Sequence, residues 1–235
     1  DEVEACEKGG VEQEELSVAN DALTVVLNPG NDFATCLSVD ELKKIWGPKN
    51  AVDNWSEVRD GFPDTKIARF GPGTDSGTFD YFTEAINGEE GSQTTDFNNV
   101  GEDDNATVTG VGGTEGGIGY FGYSFFAENE GKLKAAEIRN EAGECVAPSA
   151  ESAQSGDYNP LGRQLFLYPS AKALQKPEVR AFLEFYINEN DQIAERAGLI
   201  PLTDEQKQEA LTKVEELASS GGGGTGAAEG TGTTP

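Results

Sequence analysis

An apolar run from Ile67 to Phe70, a turn on Gly71-Pro72-Gly73 and a segment in which Phe79, Phe82 and Ile86 recur at helical spacing follow one another directly. That succession leaves the chain little choice: strand, tight loop, helix N-terminus. Ser76 stands where an N-cap belongs, Gly77 has no side chain to block approach to the backbone, and Thr78 adds a hydroxyl in the first turn. The first N–H groups of a helix lack intrahelical acceptors and carry the positive end of its dipole, so they can hold an oxyanion without a lysine. Taken alone, the Ser-Gly-Thr tripeptide reads first as an ordinary helix start with nothing bound.

Strand and helix signals alternate through the rest of the chain. Residues 1 to 16 are strongly acidic and hold a short helix that ends at Gly9-Gly10. Leu23-Thr-Val-Val-Leu27 is the near-continuous apolar run of a buried strand. Ser38-Val-Asp-Glu41 is a capping box, Leu42, Ile45 and Trp46 follow at helical spacing, and Gly47-Pro48 stops that helix. Residues 88 to 117 are rich in Gly, Asn, Asp and Thr, and Ala106 to Val111 is open to a strand or a helix start. Gly117 to Tyr123 reads as a strand whose glycines permit close backbone approach, Ser124 to Lys134 as a helix, and Gly162 to Tyr168 as another strand. Two helices follow: Pro177 to Asn190, with Val179, Phe182, Leu183, Tyr186 and Ile187 on one face, and Thr203 to Leu217, opened by a Thr-x-x-Gln box. From Ser219 to Pro235 the composition narrows to Gly, Thr, Ala and Ser, the mark of a flexible tail or linker.

Inventory removes several classes of function. The chain has no histidine, which excludes Ser-His-Asp and Cys-His nucleophiles and histidine-ligated metals. No cofactor or metal is expected: Glu102-Asp-Asp-Asn105 lacks the spacing and glycine of an EF-hand and reads as a solvated loop. With 17 basic and 43 acidic residues the formal charge is −26, which argues against nucleic acid or an anionic membrane as partner and suits a high-salt habitat. No window approaches the ~20 apolar residues needed to span a bilayer. Cys6, Cys36 and Cys145 allow at most one internal disulfide, expected between Cys6 and Cys36. Asn54-Trp-Ser and Asn105-Ala-Thr are glycosylation sequons of low information.

The longer string Gly71-Pro-Gly-Thr-Asp-Ser-Gly-Thr-Phe-Asp-Tyr-Phe82 resembles the phosphate-binding proteins of phosphate ABC transporters. So do Ala19-Asn-Asp-Ala-Leu-Thr-Val-Val-Leu-Asn-Pro29, Leu42-Lys-Lys-Ile-Trp46, Gly117-Ile-Gly-Tyr-Phe-Gly-Tyr123 and Tyr158-Asn-Pro-Leu-Gly-Arg-Gln-Leu-Phe166, and the likeness runs to about Leu202. It implies an α/β periplasmic-binding-protein type II (Venus-flytrap) fold whose two lobes close on inorganic phosphate about hinge strands near Val18 and Gly162. Such a protein works outside the cytoplasm, hands phosphate to the permease of an ABC transporter, and makes or breaks no bond. The family's phosphate-contacting Ser, Gly and Thr map onto Ser76, Gly77 and Thr78; Thr74, Asp75 and Arg163 complete the candidate set. An arginine that family members carry four residues before the serine is replaced by Pro72. Arg69 is expected to serve a structural ion pair.

The resemblance also implies missing parts. Residues 18 to 160 match a whole second lobe, 1 to 17 and 161 to 218 only the end of the first, and 219 to 235 a tail. Leu165, Leu167, Phe182 and Tyr186 are therefore expected to be exposed unless another chain completes the first lobe. Two other readings stay open: another tetrahedral oxyanion such as sulfate or arsenate, and an extracellular structural or adhesion module with a vestigial site.

Overall fold

The computed structural model describes residues 2–220, so most of the Gly- and Thr-rich stretch beginning at Ser219 lies outside the described residues. The elements follow in the order α1 (Glu2–Lys8), β1 (Leu16–Leu27), β2 (Cys36–Ser38), α2 (Val39–Trp46), α3 (Trp55–Val58), β3 (Ala68–Gly71), α4 (Gly77–Asn87), β4 (Asn98–Asn99), α5 (Asp104–Gly113) and β5 (Gly117–Gly122). The second half runs α6 (Tyr123–Glu128), β6 (Lys134–Ala135), β7 (Glu137–Arg139), β8 (Cys145–Val146), α7 (Ala150–Ser155), β9 (Gly162–Leu167), α8 (Ala171–Leu174), α9 (Pro177–Asn188), α10 (Asn190–Arg196) and α11 (Asp204–Ser220).

The fold is mixed α/β and divides into two units. The larger comprises Asn20–Gln164 and Ala194–Ile200. One sheet orders its strands β4-β3-β5-β1-β6, with β9 also paired to β1. β3 and β5 run parallel, so the chain between them must cross over, and α4 and α5 make the crossover. β1 lies antiparallel to β5, placing Val25 opposite Tyr120 and Val26 opposite Gly119. Both faces of this sheet are covered. Val25, Leu27 and Tyr120 belong to a core with Trp46, Phe82 and Ile86, while Val26 and Phe121 pack with Val111 and Leu133 on the other side. Double coverage is why the Leu23–Leu27 half of β1 reads as a near-continuous apolar run instead of an alternating one. A Cβ on Gly119 would meet Phe70 O and Thr107 Cγ2, each at 2.8 Å, so the glycine there is what lets the crossover press against the strand.

Local signals explain the helices that carry this packing. Ser38 accepts from Glu41 N–H while the Glu41 carboxylate accepts from Ser38 N–H, a closed capping box that starts α2 and buries Leu42, Ile45 and Trp46. α4 buries Phe79, Phe82 and Ile86 at the expected spacing. Each large apolar side chain so buried stabilises by roughly 1.5–3 kcal/mol. The open stretch around Ala106 is helical: Asp103 caps α5 by accepting from Asn105 N–H. α6 is shorter than expected and stops at Glu128. Asn129 bonds back to Phe125 O, and Gly131 turns the chain at a φ of 86°, which ends any helix before Lys134.

The disulfide corrects the expected pairing. Cys36 bonds to Cys145, with Cα atoms 5.9 Å apart, and Cys6 is free. Cys36 opens β2 and Cys145 opens β8, which flank β7 in a small sheet ordered β2-β7-β8; Cys6 sits on α1, in the other unit. Strand pairing, which nearness in sequence does not reveal, brings the two thiols together.

The smaller unit, Asp1–Ala19 with Leu165–Ile193 and Pro201–Pro235, has its own core of Leu16, Leu174, Leu183, Ile187, Val214 and Leu217. The Thr203–Gln206 box forms as read, with Gln206 N–H donating to Thr203 Oγ1 and Thr203 N–H to Gln206 Oε1. α9 buries Leu183 and Ile187, whereas Phe182 and Phe185 are 57% and 60% exposed. None of Leu165, Leu167, Phe182 and Tyr186 is buried.

The Cys36–Cys145 bond closes a loop with a sequence separation of 109. The variant Cys145→Ser should lose about 2–5 kcal/mol of stability, seen as a lower denaturant midpoint, while Cys6→Ser should leave it unchanged. A midpoint that fell with Cys6→Ser and held with Cys145→Ser would contradict this pairing.

Candidate functional site

The β3–α4 turn is pinned before its helix begins. Ser76 N–H donates to Gly73 O at 3.1 Å, Gly73 N–H to Gly101 O at 3.1 Å, and Val100 N–H to Gly71 O at 3.1 Å, which ties the turn to the segment leading into α5. A Cβ on Gly73 would stand 2.7 Å from Asp75 Oδ1. Ser76 is the N-cap, in extended conformation, yet its side chain makes no capping bond. The first α4 amide with a backbone acceptor is that of Asp80, bonded to Ser76 O at 3.1 Å, so the amides of Gly77, Thr78 and Phe79 have no acceptor among the described residues. The helix is also fixed from behind. Phe82 stacks on Tyr120 at 3.8 Å between centroids, and Trp46 meets both rings edge-on.

Gly77 and Thr78, together with Ser76, line a cavity of about 500 Å³ in the larger unit. Gly122 and Ser124, at the start of α6, and Asp104, at the start of α5, reach the same space, as does the Ala197–Leu199 turn after α10. Of the residues singled out from sequence, Ser76, Gly77, Thr78 and Arg163 come together here. Thr74 and Asp75 are exposed on the turn and do not line the cavity. Arg69 takes the structural role expected of it: its buried guanidinium donates to Ile45 O at 2.7 Å, to Val52 O, and to Asp96 O at 3.2 Å.

Arg163 is held on two sides. Its Nε and Nη2 each lie 3.2 Å from Asp21 Oδ2, and its Cζ sits 4.2 Å over the Tyr81 ring. Tyr81 is anchored in turn by donating to Pro160 O at 2.6 Å. Burial pushes its phenol up to about 12, so it keeps that proton at neutral pH. The cavity therefore offers one guanidinium in a fixed pose and a helix N-terminus with unspent donors, the two kinds of group that bind an oxyanion.

Sequence reasoning missed the acidic members of the cavity. Asp21, Glu102, Asp104 and Glu128 all line it. Glu102 to Asn105 is more than a solvated loop: Asp103 caps α5 and Asp104 is half-buried. Burial, reinforced by the like charges of Glu102 and Asp103, pushes the Asp104 carboxyl up to about 6. The available signal was its position, one residue past an Asp N-cap at the mouth of a helix.

A carboxyl raised from its ordinary value of 3.8 is charged at a cost to the fold. That cost is fully present above pH 6, shrinks as pH falls through 6, and is absent below the unfolded value near 4. Asp104→Asn should stabilise the protein at pH 7 by about 1–2 kcal/mol after allowance for solvent screening, and leave it nearly unchanged at about pH 3, below the unfolded value. Thermal melts at the two pH values check this; equal effects at both would contradict it.

The model of the PBP superfamily domain matches residues 1–190. Protein SphX of Synechococcus elongatus is 43% identical over 204 residues, covering 86% of this chain and 60% of the relative. The phosphate-binding protein PstS of Staphylococcus haemolyticus is 33% identical over 212 residues, covering 90% and 65%. The chain thus spans about three fifths of the length of these curated relatives. Among solved structures, a possible phosphate binding protein from Planctomyces limnophilus superposes with a TM-score of 0.86 at 42% identity, over 92% of this chain and 77% of the other. PstS from Borrelia burgdorferi, at 23% identity and a TM-score of 0.67 over 84% and 75%, shares the fold. The chain belongs to the PBP superfamily and is a homologue of SphX and of the phosphate-binding protein PstS.

Proposed function

We propose that the protein binds inorganic phosphate outside the cytoplasm and passes it to the permease of an ABC transporter, with no bond made or broken. The observation that carries this reading is the α4 N-terminus. Gly77 and Thr78, whose amides have no acceptor among the described residues, and a buried Ser76 whose hydroxyl spends nothing on capping share a cavity with Arg163. A tetrahedral oxyanion accepts hydrogen bonds on every oxygen, and a helix N-terminus supplies donors together with favourable potential.

Arg163 takes the place of the arginine absent at Pro72. Its pairing with Asp21 limits the net charge it brings, so amide and hydroxyl donors carry more of the binding than in a site built on free cations. Relatives of this chain named phosphate-binding protein support phosphate as the ligand. A disulfide is at home in an oxidising compartment, which supports a location outside the cytoplasm. The two-lobed assembly, with residues 18–160 as one lobe and another chain or segment completing the first, is part of the same proposal.

Calorimetric titration with phosphate, sulfate and arsenate tests the reading. Phosphate should saturate a single site, and Thr78→Val, which keeps shape but deletes a donor to a charged ligand, should weaken it by about 1.5–3 kcal/mol, or one to two decades in Kd. Phosphate binding untouched by Thr78→Val and by Arg163→Met would place the ligand elsewhere. Sulfate bound more tightly than phosphate would change the ligand and keep the site.

A further inference from the structure

The cavity that receives the α4 N-terminus is acidic, and its carboxylates are not alike. Asp21, on β1, is spent on Arg163 from β9. Glu128, at the end of α6, and Glu102, ahead of α5, are exposed and keep their hydration. Asp104 differs from all three. It is half-buried, it has no cationic partner among the described residues, and Glu102 and Asp103 stand beside it. α4 and the Ala197–Leu199 turn add no titratable side chain to the lining. The α5 dipole alone would favour an ionised residue at Asp104, but the Asp103 carboxylate already caps that terminus by accepting from Asn105 N–H. An oxyanion arriving at Ser76, Gly77 and Thr78 would meet an ionised, poorly solvated Asp104 across the same space. Either the anion is repelled or the carboxyl takes up a proton.

We propose that oxyanion binding at the α4 N-terminus is coupled to proton uptake by Asp104, so that this carboxyl sets the pH range over which the site fills. The proposal rests on the anion reading of the preceding section and adds its regulation. Its sign is fixed by electrostatics. Below about pH 6 Asp104 already carries the proton and the anion binds without an added step. Above it, each occupied site must first draw a proton from solution, so affinity falls by up to about tenfold per pH unit. The raised position of the Asp104 carboxyl, up to about 6, places this fall within ordinary working pH. Protonated, the group also turns from an acceptor into a donor, one more hydrogen bond on the anion's side of the balance.

Asp104→Asn imitates the protonated form in shape and charge. Phosphate affinities of the wild type and this variant should be measured by calorimetry from pH 5 to pH 8; phosphate's own titration is common to both and cancels in their ratio. The two should agree at pH 5, and at pH 8 the variant should bind about tenfold or more tightly. Titrations at pH 7 in two buffers of different ionisation enthalpy should show the wild type taking up close to one proton more per phosphate than Asp104→Asn. A second variant, Glu102→Gln, removes one neighbouring charge, so the wild-type fall in affinity should move to lower pH without disappearing. A ratio independent of pH, no difference in proton uptake, or an Asp104→Asn protein that folds but binds no phosphate at pH 5 would each overturn the coupling while leaving the anion site standing. Absence of phosphate binding at every pH in all three proteins would overturn both.

Discussion

Phe82 lies face to face on Tyr120, with Trp46 closing edge-on against both, and the direction of α4 depends on that contact. A helix dipole is useful to a ligand only when its axis is fixed; a helix free to tilt would spend binding energy on its own ordering. The three rings come from α2, α4 and β5, so one cluster locks a capped helix, the crossover helix and the central parallel strand together. Arg69 reinforces the same region, its buried guanidinium gathering carbonyls of Ile45 and Val52. The tight turn ahead of Ser76 is thus presented by a rigid base, and its unpartnered amides point to one place in every molecule.

Electrostatically the site works against the molecule that carries it. The chain has a formal charge of −26, and the cavity sets four carboxylates against one guanidinium. Most of the total is remote: charges beyond about one Debye length, ~8 Å at physiological ionic strength, are largely screened. What remains is local. The α4 terminus supplies about half a positive charge, and the Asp21–Arg163 pair presents an oriented fork of donors with little net charge. The half-buried Asp104 carboxyl is pushed up by burial and by the like charges of Glu102 and Asp103.

Much of this was legible in the sequence because it rests on local rules. The Ser38 capping box, the strand–turn–helix around Ser76, the Thr203–Gln206 box and the doubly covered strand at Leu23–Leu27 each follow from residues within a few positions of one another. What was not legible depends on distant pairing. Cys36 and Cys145 open two strands that both pair with β7, a fact of sheet order that spacing does not encode. α6 ends early because Asn129 and Gly131 divert the chain. Asp21 and Asp104 join the cavity from β1 and α5, far from Ser76 in sequence; only the Asp N-cap just before Asp104 hinted at its place at a helix mouth. Thr74 and Asp75, adjacent to the signature, lie exposed on the turn ahead of the helix and do not line the cavity.

We propose that the anion sits at the α4 N-terminus. Crystals of the protein grown with arsenate, a heavier analogue of phosphate, and measured by anomalous diffraction would locate it directly. The account predicts an arsenic peak in the cavity, with arsenate oxygens about 2.7–3.1 Å from the amide nitrogens of Gly77 and Thr78 and within reach of the Arg163 guanidinium. An ordered arsenate bound elsewhere, with the Ser76 turn empty, would contradict it.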